Sequence, residues 1–425
     1  MANSVVHSRS TQDPVWKMIF ALVLVCASRA PSHAQTFKVI HDFGVSSDGA
    51  APFATVTGDI SGNLYGVTWK GPFEHGCFFD GCGTVFKLSP NADGTWTEAI
   101  LYEFTGGNDG FEPASPVAVD STGNIYGVTQ ALGQEPGTVF EIVRSSDGSY
   151  MQRTLHTFDD TNGGLSPFEI TLDRRGRLFG TTDFGGVFNR GVVFRLDRIS
   201  ILTWSEKVLR NFNDPWGAAG KLLLDDEGNI YGTTNQGGAS GKGTVIKLTP
   251  GTDPHRWTLT VLYTFTGSPD GALPSSGLTA DGQGNFYGTT DQGGSAGCGT
   301  VFELSPTSDG GWHETILYSF QNGRDGCFPP SGVSFDSAGN LYGTMTSGGP
   351  AGLGLVYKLT HLPSGEWSKS VLHTFSGADG KYPYSIGNVF VDANNNVYGT
   401  ALLGGAGMTC SQPGQGCGVV WEITP

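Results

Sequence analysis

Residues 281–290, Asp-Gly-Gln-Gly-Asn-Phe-Tyr-Gly-Thr-Thr, recur with small changes seven times along the chain. The repeated aromatic position, spaced 52 to 61 residues apart, holds Tyr65, Tyr126, Phe179, Tyr231, Tyr287, Tyr342 and Tyr398. A period of this size is typical of an architecture built from one repeated structural unit. The 66 glycines fall between aromatic and β-branched runs, so they indicate turns rather than disorder.

One unit, residues 277–320, divides into four predicted strands. Asp281 and Gly284 form a tight turn, because Asp can accept from backbone N–H groups and Gly tolerates positive φ. Gly288 lies within the second strand, which predicts an aromatic ring packed over its bare backbone. We interpret the repeated turn aspartates as structural; they are Asp59, Asp120, Asp173, Asp225, Asp281, Asp336 and Asp392. Four antiparallel strands per repeat are typical of a β-propeller blade.

The first three strands occur seven times, whereas the Trp-led fourth strand follows only six of them. The missing copy matches Phe37–Phe43 at the start of the chain. The sequence therefore predicts an all-β fold, a seven-bladed β-propeller closed by an N-terminal strand that joins the C-terminal blade. The predicted propeller covers 36–425, with blades at about 51–104, 112–158, 165–212, 217–265, 272–320, 327–375, and 382–425 plus 36–43.

Residues 1–35 do not belong to the repeat and resemble a signal peptide. Lys17 precedes the apolar run Met18–Ala27, and Ser32-His33-Ala34 is a small-x-small cleavage site. We therefore expect a secreted or cell-surface protein without membrane insertion after the signal is removed. The net charge of −15 argues against nucleic acid and anionic membranes as partners.

Six cysteines follow the predicted signal peptide, and an even number in an exported chain favours disulfides. Spacing along the repeat predicts the pairs Cys77–Cys82, Cys298–Cys327 and Cys410–Cys417. Zinc binding is the alternative, but neither a Cys-x-x-Cys pair nor a His cluster supports it.

The phrases Asp-x-x-Gly-Asn-Leu-Tyr-Gly-Thr-Thr, Gly-Thr-Val-Phe-Lys-Leu and Trp-x-Glu-x-Val-Leu-Tyr-x-Phe resemble the GloVer (Gloeobacter–Verrucomicrobium type) tandem-repeat family. The first phrase is also similar to NHL-repeat propellers. The resemblance implies an exported bacterial protein without an established activity, and it transfers no catalytic residue. Many members carry a C-terminal sorting anchor, which we do not expect here because the last strand reaches Pro425.

The interblade linkers and the loops between second and third strands should share one face of the ring. Positions there that differ between blades are candidates for ligand binding, and we select Trp69, Phe168, Glu169, Asp183, Trp216, Asp291 and Tyr384. Other varied positions are Phe53, Ser115, Gln130, Asn235, Ser276 and Ser331, and His75 lies in a long loop of the same face. The alternative for each is an ordinary surface residue. The linker aspartates offer one carboxylate each, too few for calcium, so we predict no metal site.

Aromatic rings beside carboxylates and amides suit a sugar. We therefore predict a monomeric binding scaffold for a glycan or a surface protein, without catalysis or a cofactor. The alternative is a carbohydrate-active hydrolase or lyase using Glu169 with Asp183 or Asp291, which requires two carboxylates roughly 5–10 Å apart. A third possibility, a purely structural protein, predicts a funnel filled by side chains. No Gly-x-Ser-x-Gly, phosphate-loop or His-Glu-x-x-His motif is visible.

Overall fold

The computed structural model contains seven four-stranded antiparallel sheets arranged as the blades of a ring, which confirms the predicted fold class. It describes residues 35–44, 48–72, 81–130, 137–159, 164–213, 218–253, 256–384, 386–406, 410 and 416–425, with only the backbone of 218 and 219. The predicted signal peptide, His75, Cys77 and Trp216 lie outside these residues. Within them, no helix is long and apolar enough to cross a membrane.

Each blade runs from an inner first strand to an outer fourth strand. The strands of blade one are Thr57–Gly58, Leu64–Thr68, Thr84–Pro90 and Trp96–Glu103. Those of blade two are Ala118–Val119, Ile125–Thr129, Thr138–Arg144 and Tyr150–Thr157. Those of blade three are Leu165–Leu172, Leu178–Phe184, Val192–Arg198 and Trp204–Asn211. Those of blade four are Ala218–Leu224, Ile230–Thr234, Thr244–Pro250 and Trp257–Thr264. Those of blade five are Thr279–Ala280, Phe286–Thr290, Thr300–Pro306 and Trp312–Ser319. In blade six they are Ser334–Phe335, Leu341–Met345, Leu355–His361 and Trp367–Thr374.

Blade seven combines both ends of the described chain. Its inner strands are Phe390–Val391, Val397–Ala401 and Val419–Thr424, and its fourth strand is Thr36–Asp42. The last two strands are antiparallel, with Val39 opposite Trp421 and His41 opposite Val420. This blade therefore pairs residues from the two ends of the propeller in one sheet.

Antiparallel pairing places the connections on two faces of the ring. We call turn face the face that carries the turns between first and second and between third and fourth strands. We call linker face the face with the second-to-third-strand loops and the interblade linkers. Two of these linkers contain short 3-10 turns, Gly107–Asp109 and Gly323–Asp325, and a two-stranded ribbon joins Gly271–Ala272 to Gln292–Gly293.

The repeated turn aspartate is a hydrogen-bond acceptor for its own turn. In blade one, Asp59 Oδ1 accepts from the N–H groups of Ser61 and Asn63, while Oδ2 accepts from Asn63 Nδ2 and the Tyr65 hydroxyl. These hydrogen bonds favour the carboxylate and lower the pKa of Asp59, although its partial burial opposes them. In blade seven, Asn395 replaces the turn glycine and adopts a φ of 65°, the left-handed conformation that asparagine tolerates.

The predicted packing of a ring over the second-strand glycine is present in six blades. A Cβ placed on Gly127 would lie 2.3 Å from Phe140 Cζ, so only glycine leaves room for that ring. The corresponding rings in the other five blades are Phe86, Phe194, Phe302, Tyr357 and Trp421. Blade four differs, because Ile246 takes the ring position and a Cβ on Gly232 meets only Leu222 Cδ2, at 3.1 Å.

Two predicted disulfides are present in the structure. Cys298–Cys327 joins a second-to-third-strand loop to the following linker, and Cys410–Cys417 closes a loop of blade seven. The third predicted pair, Cys77–Cys82, involves a cysteine outside the described residues. Both observed bonds therefore stabilise loops of the linker face.

Candidate functional site

Three aromatic side chains from the first and last blades meet on the linker face. The Phe53 ring lies 5.9 Å from the Trp69 ring and 5.1 Å from the Tyr384 ring, measured between centroids. Tyr384 is 41% exposed, and the linker residues Tyr382 and Phe328 are 39% and 50% exposed. The structure therefore brings together two predicted site residues, Trp69 and Tyr384, and leaves the Tyr384 ring partly accessible.

Asp291, which directly follows the second strand of blade five, lies within electrostatic range of Tyr384 in this aromatic cluster. Its Oδ1 accepts a hydrogen bond of 2.5 Å from the Ser275 hydroxyl. Burial raises the pKa of Asp291 to about 6, although the Ser275 hydrogen bond opposes the shift. Burial and the nearby charge of Asp291 both raise the pKa of Tyr384. Asp291 and Tyr384 are therefore close enough to interact electrostatically across the linker face.

The predicted residues of blade three have a different environment. Glu169 is only 3% exposed, and burial raises its pKa to about 7 despite the opposing charge of Lys221. Burial also raises the pKa of Asp183 to about 6. Phe168 is half-buried, and its carbonyl accepts a hydrogen bond from the Ser115 hydroxyl. Burial, rather than a neighbouring carboxylate, is thus the main cause of both raised pKa values.

Side chains connect the inner strands between the two faces. Asn388 of blade seven reaches past blade six, and its Nδ2 donates to Thr279 Oγ1 of blade five and to the Val333 carbonyl, both at 2.8 Å. On the other side, a Cβ on Gly387 would lie 2.5 Å from Pro116 Cγ of blade two. The two mouths of the ring are therefore separated by close contacts between blades.

A cavity of about 890 Å³ opens on the turn face, where the sequence analysis placed no site. Blades three, four and five provide most of its lining, and Asn388 of blade seven also contributes. Its basic side chains are Arg174, Arg175, Arg177, Arg195 and Lys221, and its acidic ones are Asp173, Asp225, Asp226 and Glu227. Trp257 and four leucines, Leu222, Leu223, Leu224 and Leu278, supply apolar surface. Apolar walls with a few polar groups are typical of ligand sites.

Three of the five cations in this cavity already have carboxylate partners. Arg174 Nη1 lies 2.8 Å from Asp226 Oδ1, which links the turns of blades three and four. Arg177 contacts Asp173 Oδ2 at 2.6 Å, and Arg195 contacts Asp197 Oδ2 at 2.7 Å. Among the described residues, Arg175 and Lys221 form no such ion pair. Their charge is therefore available to a ligand, although the carboxylates of Asp225 and Glu227 lie in the same cavity.

The sequence carries a signal for this cavity in two of the repeated turns. Of the seven Asp turns, only the turn at residues 173–177, Asp-Arg-Arg-Gly-Arg, contains basic residues. Only the next turn, at 225–229, contains two acidic residues besides the repeated aspartate. A position at which one blade departs from the repeat can give that blade a separate role. That the two turns face each other across a cavity could not be inferred without the structure.

His41, Asp48 and Glu98 are grouped closely enough to hold a metal ion. His41 Nε2 lies 3.3 Å from Asp48 Oδ2 and 3.8 Å from Glu98 Oε1. The histidine–linker aspartate contact recurs between blades six and seven, where His373 Nε2 lies 2.9 Å from Asp379 Oδ2. The contact is therefore a repeated element of blade junctions, and we assign it a structural role.

The family model for the Gloeobacter/Verrucomicrobia repeat matches residues 28–221 and 203–412. A comparison with curated proteins found no match. Among solved structures, a fungal alcohol oxidase of the AA5 family in complex with copper aligns with a TM-score of 0.54 and 14% identity, covering 91% of this chain and 77% of the oxidase.

A second solved structure is the extracellular domain of a protein assigned as a hybrid two-component system from B. thetaiotaomicron. It aligns with a TM-score of 0.53 and 11% identity, covering 90% of this chain and 39% of that one. At these identities the two structures share the propeller fold with this chain and indicate nothing about its ligand. The repeat matches cover most of the sequence, and the chain belongs to the Gloeobacter/Verrucomicrobia repeat family.

Proposed function

We propose that the protein is an exported, non-catalytic β-propeller that binds carbohydrate at the linker face. The observation that carries the proposal is the contact of Phe53 with Trp69 and Tyr384 beside the Ser275–Asp291 hydrogen bond. Aromatic rings with an accessible polar tip suit ligands that are apolar on one side and wet on the other. A sugar ring has this character, since its C–H face is apolar and its hydroxyls need partners.

The surrounding surface supports this proposal. Exposed aromatic side chains are costly to leave in water, and a patch of them marks an interaction surface. Tyr382, Tyr384 and Phe328 form such an exposed set on linkers of this face. The disulfides Cys298–Cys327 and Cys410–Cys417 hold loops of the same face and agree with an oxidising, extracellular compartment.

The test is a glycan-array screen of the mature protein, followed by isothermal titration of the hits. The double variant Trp69→Ala/Tyr384→Ala should weaken binding by about tenfold or more, because aromatic anchors supply much of the energy of such sites. The control is Phe188→Ala, which removes an exposed aromatic ring of blade three on the same face. Melting temperatures verify that each variant is folded.

Two results would contradict the linker-face proposal. One is the absence of any glycan hit with folded wild-type protein. The other is wild-type affinity in the Trp69→Ala/Tyr384→Ala variant, which would place the bound glycan elsewhere on the molecule.

The second candidate is a carbohydrate-active hydrolase or lyase. It is favoured by the raised pKa values of Asp183 and Asp291, both about 6, because raised carboxyl pKa values are frequent at catalytic sites. Incubation of the protein with polysaccharides, followed by reducing-end and double-bond assays, tests this activity. Product formation that is lost in Asp291→Asn would favour catalysis over binding.

A further inference from the structure

We propose that the turn-face cavity is a second binding site, specific for a hydroxylated monocarboxylate such as a uronic acid unit of a polysaccharide. The cavity lies on the other face of the ring from the aromatic cluster, so this proposal is independent of the linker-face site. Its volume of about 890 Å³ falls within the range of known ligand pockets, roughly 300–1,000 Å³.

The two unpaired cations select an anion. Arg175 is exposed on the turn of blade three, and Lys221 is exposed on the inner strand of blade four. Both line the same cavity, and neither forms an ion pair with a described residue. An arginine guanidinium matches the planar, two-oxygen geometry of a carboxylate and binds it with charge-assisted hydrogen bonds.

The acidic side chains of the cavity exclude anions of higher charge. Asp225 and Glu227 line it as well. Carboxylates in the same cavity repel a phosphate or a densely sulfated chain. They can, however, accept hydrogen bonds from ligand hydroxyls. A ligand with one negative charge and several hydroxyls satisfies both sets of side chains.

Apolar groups in the same cavity fit the ring of such a ligand. Trp257, from the fourth strand of blade four, lines the cavity together with Leu224 and Leu278. A pyranose ring can pack its C–H face on these groups while its carboxylate contacts Arg175. A free inorganic anion would leave this surface uncovered, which is why we favour a uronic acid.

The experiment is isothermal titration of the full mature protein with galacturonate, a uronic acid with a single carboxylate. The variant Arg175→Gln/Lys221→Gln should lose about tenfold in affinity, since two charge-assisted contacts are removed. The matched control, Lys242→Gln/Arg324→Gln, removes the same charge from exposed residues of the linker face and should stay within about twofold of wild type. All affected side chains are exposed, so all variants should fold, and melting temperatures verify this.

Competing probes separate the outcomes. Binding should persist in Trp69→Ala/Tyr384→Ala, so a loss there but not in Arg175→Gln/Lys221→Gln would overturn the second site while leaving the linker-face site intact. A neutral monosaccharide that binds as well as galacturonate, or a sulfated saccharide or inorganic phosphate that binds more tightly, would overturn the ligand class. The absence of galacturonate binding at millimolar concentration would overturn the proposal as a whole.

Discussion

Blades six and three build the same turn with different side chains. In blade six, Asp336 Oδ2 accepts from Asn340 Nδ2 at 2.7 Å and from the Tyr342 hydroxyl at 2.9 Å. In blade three, the corresponding Asp173 Oδ2 accepts from Arg177 Nε at 2.6 Å, and Phe179 replaces the tyrosine. The fold thus requires the aspartate and one charged or amide donor, whereas the tyrosine hydroxyl can be replaced.

We expect the two changes in blade three to compensate each other, because Arg177 both donates to Asp173 and lies over the ring. The Arg177 guanidinium lies 5.2 Å above the Phe179 ring, whereas in blade six the cation over the Tyr342 ring, also at 5.2 Å, is Lys358 of the third strand. The turn then carries basic residues to the turn face without losing its internal hydrogen bonds. A repeat protein can in this way change the surface of one blade while every blade keeps its fold.

Blade four departs from the repeat within its core, and this departure gives the largest predicted effect. Gly127→Ala in blade two should lower stability by about 3 kcal/mol, because the new Cβ would lie 2.3 Å from the buried Phe140 ring. Gly232→Ala in blade four should cost less than about 1 kcal/mol, since its nearest neighbour is the end of the flexible Leu222 side chain at 3.1 Å. Thermal unfolding measures both changes.

Equal shifts in melting temperature for the two variants would contradict this comparison. They would mean that the aromatic ring above Gly127 is not the reason why glycine is required there. A shift confined to Gly127→Ala would show that the core of blade four has room for a Cβ at the second-strand glycine, whereas the core of blade two has none.

Glu169 gives the next largest effect, since the corresponding position of other blades holds a small residue such as Ala54, Ser115 or Ser276. Burial raises the pKa of Glu169 from 4.5 to about 7 in the folded protein. The contribution of Glu169 to the free energy of unfolding is therefore most favourable below pH 4.5, and this stabilisation is lost as pH rises through about 7. Glu169→Gln should accordingly stabilise the protein by about 2 kcal/mol near pH 8 and have little effect near pH 4.5.

Melting temperatures across this pH range test the prediction. Glu366→Gln, at an exposed glutamate of blade six, is the control and should track the wild type at every pH. A pH-independent difference between Glu169→Gln and wild type would show that the carboxyl of Glu169 is not held protonated by the fold.

The turn of blade three gives the smallest effect and the sharpest test of compensation. Arg177→Asn and Phe179→Tyr should each lower stability by about 1 kcal/mol. Each single variant combines one residue of the blade-three turn with one of the blade-six turn, so its hydrogen bonds and ring contact match those of neither blade. The double variant restores the residues of blade six and should recover most of the loss. Thermal unfolding of the four proteins forms the cycle, and additive effects of the two changes would rule out the proposed coupling.

Features that repeat seven times could be predicted from the sequence. The turn aspartate and the aromatic residue, such as Asp336 and Tyr342, recur with fixed spacing. A glycine within a strand, such as Gly127, indicated a ring packed over it. The segment Phe37–Phe43 matched the fourth strand that the seventh repeat lacks. Each of these rests on local hydrogen bonding or packing within one sheet. Physical rules for turns and strands suffice at that level.

The turn-face cavity could not be predicted in this way. It depends on the longer inner strands of blades three and four and on side chains from four blades, of which Asn388 and Thr279 are more than 100 residues apart. The aromatic cluster was anticipated only as separate residues, because the contact of Phe53 with Tyr384 joins the first and last blades. Distances between blades are set by the ring, and the sequence of one repeat does not contain them.

The most direct test of the account is a crystal structure of the mature protein with bound galacturonate. The account predicts that the departures in blades three and four form the site, with a uronate carboxylate at Arg175 and Lys221 and a sugar ring against Trp257. A saccharide bound elsewhere, with these side chains in contact only with solvent, would contradict it.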